Sequence, residues 1–547
     1  MPGCTPTQSG FTANRLSPYK PPQELINYPV IDIHTHTFNA RYLPIRNIIR
    51  ARRLEYPQLA HVSEPVLLGI GNILVDITRL SRLTKEQQTA AMPLERLEEK
   101  ASRTGELVTP LQAVTRSSVA PDQKPAKEMT AKAVPPKEVM LVGPNQNTSS
   151  NLREFVQLML PEEKRINESP EKAVAAGSGA EPIVRFLGFV TSSEKRLAKE
   201  LSGIEFDRRV RLFVHHTMDL GPVFGEPPDH HRFLDFQTEQ LPRARELDRE
   251  MSGKFLHFVA WNPYRRPNDP KLDSLRPLSI VSEAVARGAW GVKFYPPSGY
   301  RPDQNDIPSR PAPGVLREQW EARYAMIPSA SLSALNERLN EINERLFAWA
   351  EKYDIPIFSH SAGGEFNAAA GYGQRNANPV FWRTVLQRHP RLRLCLAHAG
   401  GSDLWFHRSI VGNGSWGQET YDLCTQYPNV YCEFGAQDEV LDSGRRDAFV
   451  RRISDFVEKS ETLPYHFADK IMYGSDWFMP TRAAPRSLYL DMYREALLKP
   501  ELRNCYKRFF CLNAMRYLRL EERLGTQANL TPEMRATLRK LIADSAK

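Results

Sequence analysis

From residue 208 onward, short apolar runs alternate with amphipathic helical runs at a nearly constant interval. This alternation limits what the chain can fold into. The strand-like runs are 210–218 (VRLFVHHTM), 255–261 (FLHFVAW), 289–295 (AWGVKFY), 355–360 (IPIFSH), 392–398 (LRLCLAH), 429–434 (NVYCEF) and 470–475 (KIMYGS). With 29–34 (PVIDIH) they make eight. His360, His398, Glu433 and Asp476 recur at intervals of 38, 35 and 43 residues, and Ala260 and Lys293 are 33 apart. A barrel of eight strand–helix units needs about 31 residues per unit. Apolar strands separated by helices, such as 331–353 and 379–389, read as a parallel sheet buried on both faces. The expectation is a distorted (β/α)8 barrel. A doubly wound open sheet is the structural alternative, and the chemistry decides between them.

The ends of the strands carry that chemistry. His34 and His36 close the first strand, and residues i and i+2 of a strand point to one face. Two imidazoles therefore aim at one point, at the end of the barrel where active sites sit. Asp32 shares the face one layer deeper, placed to orient a ligand. Lys293 in GVKFYPP, His360 in PIFSHSAGG, His398 in CLAHAGG and Asp476 in MYGSDW lie at four further strand ends. Any one of them alone reads as a satisfied core polar group or a cap. Together with H-x-H they suit a divalent ion such as zinc, with a position left open for water.

The set VIDIHTH, GVKFYPP, FSHSAGG, LAHAGG and YGSDWFMP resembles the amidohydrolase superfamily, above all the branch of amino-carboxymuconate-semialdehyde decarboxylase and its relatives. The late FFCLNAMRYLRL, with Asn513 and Ala514, resembles that branch's last barrel helix. The resemblance covers about 25–40 and 208–520. It implies one divalent metal, zinc first and manganese next, held by His34, His36, His360 and Asp476. It places His398 beside the water or substrate and makes Asp476 the proton acceptor. Lys293 stands on the fourth strand, where two-metal relatives carry a bridging carboxylated lysine. A substrate-anion role, with Tyr295 and Arg301 nearby, is the preferred reading, and Trp477 is expected to wall the pocket.

Other polar groups are weaker candidates. At most one of His215 and His216 faces the barrel, with Asp219 just beyond. Arg265 and Arg266 follow the third strand, Glu433 ends the seventh, and Tyr372 and Arg375 lie after His360. Asp229-His230-His231 reads as solvated surface.

The expected reaction is metal-dependent hydrolysis of a C–N or C–O bond in a small carbonyl compound. Non-oxidative decarboxylation of a small unsaturated or aromatic acid uses the same ligands and is the runner-up. A third reading is an inactive barrel that binds a protein partner. The expected ligand is a small molecule, acidic if Arg301, Arg265 or Lys293 points inward.

The segment 41–205 leaves from the catalytic end of the first strand. It reads as an insertion, mostly helical or disordered, with helices near 65–83 and 152–160. Its 101–150 stretch has too few large apolar groups to offset ordering entropy. A lid, or a partner-docking or oligomerisation arm, fits that position. Residues 1–24 read as a tail, 25–40 with 206–520 as the barrel, and 521–547 as a helical tail. Thr531 and Pro532 begin a short helix expected to be exposed and frayed.

Composition excludes other classes. The chain has 547 residues, 41% apolar and 10% aromatic, enough for a large core. Lys and Arg total 73 against 64 Asp and Glu, a net +9 mixed through helices rather than set in a basic stripe. That is the pattern of solvated faces, so no nucleic-acid partner is expected. No apolar run is long enough to span a membrane; the best, 65–77, is too short. The N-terminus lacks a signal-peptide pattern. Six scattered cysteines without C-x-x-C spacing fit a reducing cytoplasm.

Overall fold

The computed structural model describes residues 25, 27–39, 42, 189, 192–206, 210–220, 236–265, 277–307, 331–363, 367, 372–407, 415–477, 479, 488–527 and 529–546. The expectations for 1–24, the helices at 65–83 and 152–160, the 101–150 stretch, Arg266 and Asp229-His230-His231 lie outside these residues.

Eight strands pair in parallel in sequence order: β1 Val30–Thr35, β2 Val210–His216, β3 Phe255–Ala260, β4 Gly291–Phe294, β5 Ile357–His360, β6 Leu394–Ala397, β7 Val430–Glu433 and β8 Ile471–Met472. The ring closes just beyond β8. There Ile33 N–H donates to Tyr473 O, Asp476 N–H to His34 O at 2.7 Å, and His36 N–H to Trp477 O at 2.7 Å. The open-sheet alternative is thereby set aside. All but one residue of the eight strands are buried, as expected for strands covered on both faces.

Helices follow the strands. They are α1 Glu194–Phe206, α2 Leu241–Glu250, α3 Pro277–Ala286, α4 Leu332–Tyr353, α5 Tyr372–Asn376, α6 Trp382–Arg388, α7 Asp403–Phe406, α8 Trp416–Gln426, α9 Ser443–Lys459, α10 Leu488–Leu497, α11 Asn513–Leu518, α12 Leu520–Thr526 and α13 Pro532–Ser545. Ser331 caps α4 by accepting from Ala334 N–H at 3.2 Å, and Leu335, Leu339, Ile342 and Leu346 form its buried stripe. Asn513 on α11 donates to Ala468 O and Ile471 O, fixing that helix beneath β8.

Two expectations change. The last strand spans two residues rather than six, because the chain beyond Met472 turns in to meet β1. At Gly474 a Cβ would lie 2.7 Å from Glu433 Oε2 and 2.9 Å from His34 Cβ, so only glycine passes there. The C-terminal helix α13 is not frayed or free. Met534, Leu538 and Leu541 are buried, and Tyr28 donates to Ser545 O at 3.1 Å. Its helical spacing of apolar residues forms a face that the barrel covers.

Among the described residues no helix is long and apolar enough to cross a membrane. The described cysteines, Cys395, Cys424, Cys432, Cys505 and Cys511, are free and buried.

Candidate active site

The first strand and the residue just past it present two histidines in one orientation. The β1–β2 pairing shifts register between Asp32 and Thr35, a bulge around the first histidine. Such irregularities re-aim side chains near sites. Asp32 accepts from His34 N–H at 3.2 Å and Ser475 N–H at 2.9 Å, tying the bulge to the loop that carries Asp476. His34 Nδ1–H donates to Glu433 Oε1 at 2.5 Å, and His36 Nδ1–H donates to His216 O at 3.2 Å. Both rings are thus held as the tautomer that presents a bare Nε2. These Nε2 atoms stand 3.2 and 3.0 Å from Asp476 Oδ1.

The other two histidines are oriented the same way. His398 Nδ1–H donates to Gly435 O at 2.9 Å, which leaves its Nε2 bare. His360 Nε2–H donates to Ala362 O at 3.1 Å, which leaves its Nδ1 bare. The two bare nitrogens face each other at 3.1 Å. Lone pairs so placed repel unless a proton or a cation joins them. Four imidazole nitrogens and a carboxylate therefore converge, all from buried side chains. Burial, with the Lys293 charge and neighbouring imidazoles, holds His34 well below the usual histidine range. Burial also lowers His360, with His398 and Lys293 adding to it. Neutral imidazoles are what a metal requires. Burial alone would raise Asp476, but the neighbouring imidazoles, His36 first, and Lys293 outweigh it and keep the carboxyl below its ordinary value.

This donor set fits a divalent cation. The ligand atoms of His34, His36 and Asp476 all lie within 4.8 Å of one another. Each ring hydrogen-bonds backward to a carboxylate or carbonyl, as metal-bound histidines do. His360 stands beside this trio, on the same pocket, with Nδ1 as its inward atom.

Strain marks the same two loops. His398 has φ 59°, Ala399 48° and Asp476 54°. Left-handed backbone at non-glycine residues costs about 1–3 kcal/mol each and persists only where surroundings enforce it. Around His398 they do: Gln437 donates to its carbonyl at 2.8 Å, while Tyr489 and Tyr493 both donate to Phe434 O.

His34, His36, His360, His398, Asp476, Lys293, Tyr295, Phe38, Met218 and Met479 line a pocket of about 290 Å³. Lys293 Nζ lies 3.2 Å from His34 Nε2 and 4.6 Å from the centre of the Phe358 ring. Tyr295 packs against His360 with ring centroids 5.0 Å apart.

Several expectations are corrected. Arg301 is absent from the lining among the described residues. Its guanidinium reaches Asn376 and Gln304 O and stacks on Phe381. Trp477 closes the barrel through its backbone, and its indole packs on Phe189 at 5.0 Å instead of walling the pocket. Arg265 is held by Asp219, and Arg375 by Asp306. Of the histidine pair on β2, His216 faces the barrel, 5.1 Å from the His34 ring, while His215 faces α2.

Glu433 proves central. It is fully buried, touches His34, and accepts from Gly435 N–H. Burial raises its carboxyl to about 7, opposed by His398 and reinforced by Asp476. Phe38, Met218 and Met479 carry no sequence signal beyond being apolar residues in loops after strands.

Residues 265–520 match the model of the amidohydrolase family, so the resemblance drawn from the sequence holds over the part of the chain that carries β4 to β8. Among solved structures, an amidohydrolase from Burkholderia multivorans with bound zinc is 14% identical. The match covers 61% of this chain and 91% of that one, with a TM-score of 0.36. A 5-carboxyvanillate decarboxylase from Sphingomonas paucimobilis is 13% identical over 69% of this chain and 96% of that one, TM-score 0.33. A 5-carboxyvanillate decarboxylase from Novosphingobium aromaticivorans, with bound manganese, is 11% identical over 68% and 94%, TM-score 0.35. No curated protein matches the chain by sequence.

Proposed function

We propose, from an amidohydrolase-like barrel with this pocket, that the protein is a metal-dependent hydrolase acting on a C–N or C–O bond of a small carbonyl compound. The observation that carries the reading is the approach of His34 and His36 Nε2 to Asp476 Oδ1, with His360 Nδ1 and His398 Nε2 facing each other on the same pocket. Lys293 Nζ meets His34 Nε2 at 3.2 Å, and the facing pair of His360 and His398 is relieved only by a proton or a cation. His34, His36, His360 and Asp476 would hold one divalent ion, with zinc the first choice and manganese the second. When bound, the ion polarises a carbonyl and brings the pKa of water down toward about 7.

The remaining steps belong to the chain. The Asp476 carboxylate is ionised and acts as general base, taking the proton of the attacking water. His398, its ring fixed by Gly435 O, presents Nε2 to the water or the substrate. Lys293 supplies the pocket's positive charge and binds an anionic group or a developing oxyanion. Tyr295, Phe38, Met218 and Met479 exclude water from the reacting face. The reading of 41–205 as a lid or partner arm falls almost wholly outside the described residues, and we place the enzyme in the cytoplasm.

A second reading draws support from Lys293, a buried cation in the pocket lining. It suits a substrate carboxylate, as non-oxidative decarboxylation of a small unsaturated or aromatic acid needs. The test is turnover of metal-reconstituted protein on lactones, amides and carboxylic acids. Released acid or amine, without carbon dioxide, supports hydrolysis. Carbon dioxide release replaces it with decarboxylation. Metal binding without turnover of any compound contradicts both and favours an inactive scaffold.

A further inference from the structure

A second histidine–carboxylate cluster lies outside the pocket, between the barrel wall and α2. Asp248 on α2 is 3% exposed, and His215 and His257 are equally buried. His215 Nε2 is 2.8 Å from Asp248 Oδ1, and His257 Nδ1 is 2.6 Å from Asp248 Oδ2. His257 N–H also donates to Oδ2 at 3.1 Å. The ligand atoms of the three residues fall within 4.8 Å of one another, so a cation site is one reading. The protons argue against it. Each imidazole places an N–H directly on the carboxylate, and Asp248 accepts three hydrogen bonds. None of the ring nitrogens that face Asp248 is left bare for an ion. Burial alone would raise the Asp248 carboxyl, but His257 and His215 outweigh it and hold the carboxyl below its ordinary value.

The cluster has one arm toward the pocket. With Nε2–H committed to Asp248, His215 must accept at Nδ1, and Thr37 Oγ1 donates there at 2.8 Å. Thr37 directly follows His36. The β1–β2 ladder ends at the pairing of Thr35 with His215, so beyond Thr35 side-chain bonds attach this segment to β2. They are the His36 Nδ1 bond to His216 O, at 3.2 Å, and the Thr37–His215 bond. The first is long, and the second is short and backed by an ionised carboxylate.

We propose that Asp248 is a positioning residue: through the His215 tautomer and Thr37 it fixes the turn that presents His36 to the pocket. The inference rests on the metal reading above. Only an imidazole with Nδ1 accepting can receive the Thr37 hydroxyl, and Asp248 enforces that tautomer. Loss of the carboxylate frees His215 to reverse, and the Thr37–His215 bond to β2 loses its fixed direction and the charge behind it.

The test is titration of apo protein with Co²⁺, followed by the visible absorption of the bound ion. Parent, T37V, T37S, D248N and the D248N/T37V double variant are compared. Outer partners of metal-bound histidines are worth ~10–100-fold in affinity. The expected result is about tenfold weaker Co²⁺ binding in T37V and in D248N, with an altered absorption band. T37S, which keeps the hydroxyl, stays near the parent. The double variant is no weaker than either single one, because both cut the same chain of bonds. Additive losses, or a T37V that binds like the parent, overturn the proposal while leaving the metal site intact. A parent that binds no Co²⁺ overturns the metal reading and this inference with it. Should D248N not fold, T37V against T37S decides alone, since neither touches the buried carboxylate.

Discussion

Two buried histidine–carboxylate clusters sit within this barrel, and they are satisfied in opposite ways. Around Asp248 the imidazoles turn their N–H groups inward onto the carboxylate. Around Asp476 the N–H groups turn outward, to Glu433, His216 O, Gly435 O and Ala362 O, and the bare nitrogens turn inward. The first cluster is complete as it stands and adds stability. The second gathers acceptors and backbone strain, the arrangement of a site that awaits a ligand in the proposed reading. Residue types alone do not separate a clamp from a site. The direction of the N–H bonds does.

The largest contrast concerns turnover. D476N removes the proposed general base and one proposed ligand, and should lower turnover by ~10²–10⁴-fold while the metal-free protein keeps or gains stability. Turnover assays paired with urea unfolding of the apo form check this. A D476N protein that turns over normally breaks the contrast.

D248A should do the reverse for folding. It strands the N–H groups of His215 and His257 and the His257 backbone N–H in the interior. At roughly 1–3 kcal/mol per unsatisfied group, the loss should be about 3 kcal/mol or more. Equal stability in D248A and parent would show that the cluster is not a clamp.

E433Q sharpens the comparison within the pocket. Glutamine keeps the size of Glu433 but weakens the acceptor on His34 Nδ1, so metal affinity should fall by ~10–100-fold with little change in folding. Competition with a chelator measures it. A protein with unaltered affinity would show that Glu433 is a packing residue.

The smallest effect is on pH dependence. Burial lowers His215 below its ordinary value of 6.5, opposed by its hydrogen bond to Asp248. As pH falls below 6.5 the unfolded chain takes up a proton that native His215 resists, so the parent loses stability there. The sign follows from the unfolded state binding more protons. H215F lacks this group. Its stability should fall less between pH 7.5 and 5.5, by up to roughly 1 kcal/mol. Unfolding midpoints at the two pH values decide, and an equal or steeper fall in H215F contradicts the assignment.

Much of the barrel was legible because buried parallel strands are short apolar runs with a polar group at the end. The ends shifted by one or two residues, as at β2 and β6. β8 lost four residues because its chain must pass Glu433 at Gly474 and close on β1, a constraint between residues some 440 positions apart. The shared direction of His34 and His36 follows from period-two geometry, and the other strand ends gave the pair its weight as a candidate. Glu433 carried the right signal, a carboxylate at a strand end, but its bond to His34 depends on the curvature of the ring. Arg301 misled because proximity to Lys293 in sequence says nothing of direction, and its nearby partners, Asn376 and Gln304 O, draw it away. The burial of α13 was hidden for a like reason: Met534 packs against Gly253, on the turn between α2 and β3.

The most direct test of the account is metal content per chain, by mass spectrometry, of the parent, H36A and D248A proteins after equilibration with zinc and gel filtration. The account predicts about one ion in the parent, its loss in H36A, and its retention, with binding about tenfold weaker, in D248A that remains folded. No ion in the parent, or an ion that survives H36A and leaves with D248A, would contradict the assignment of the two clusters.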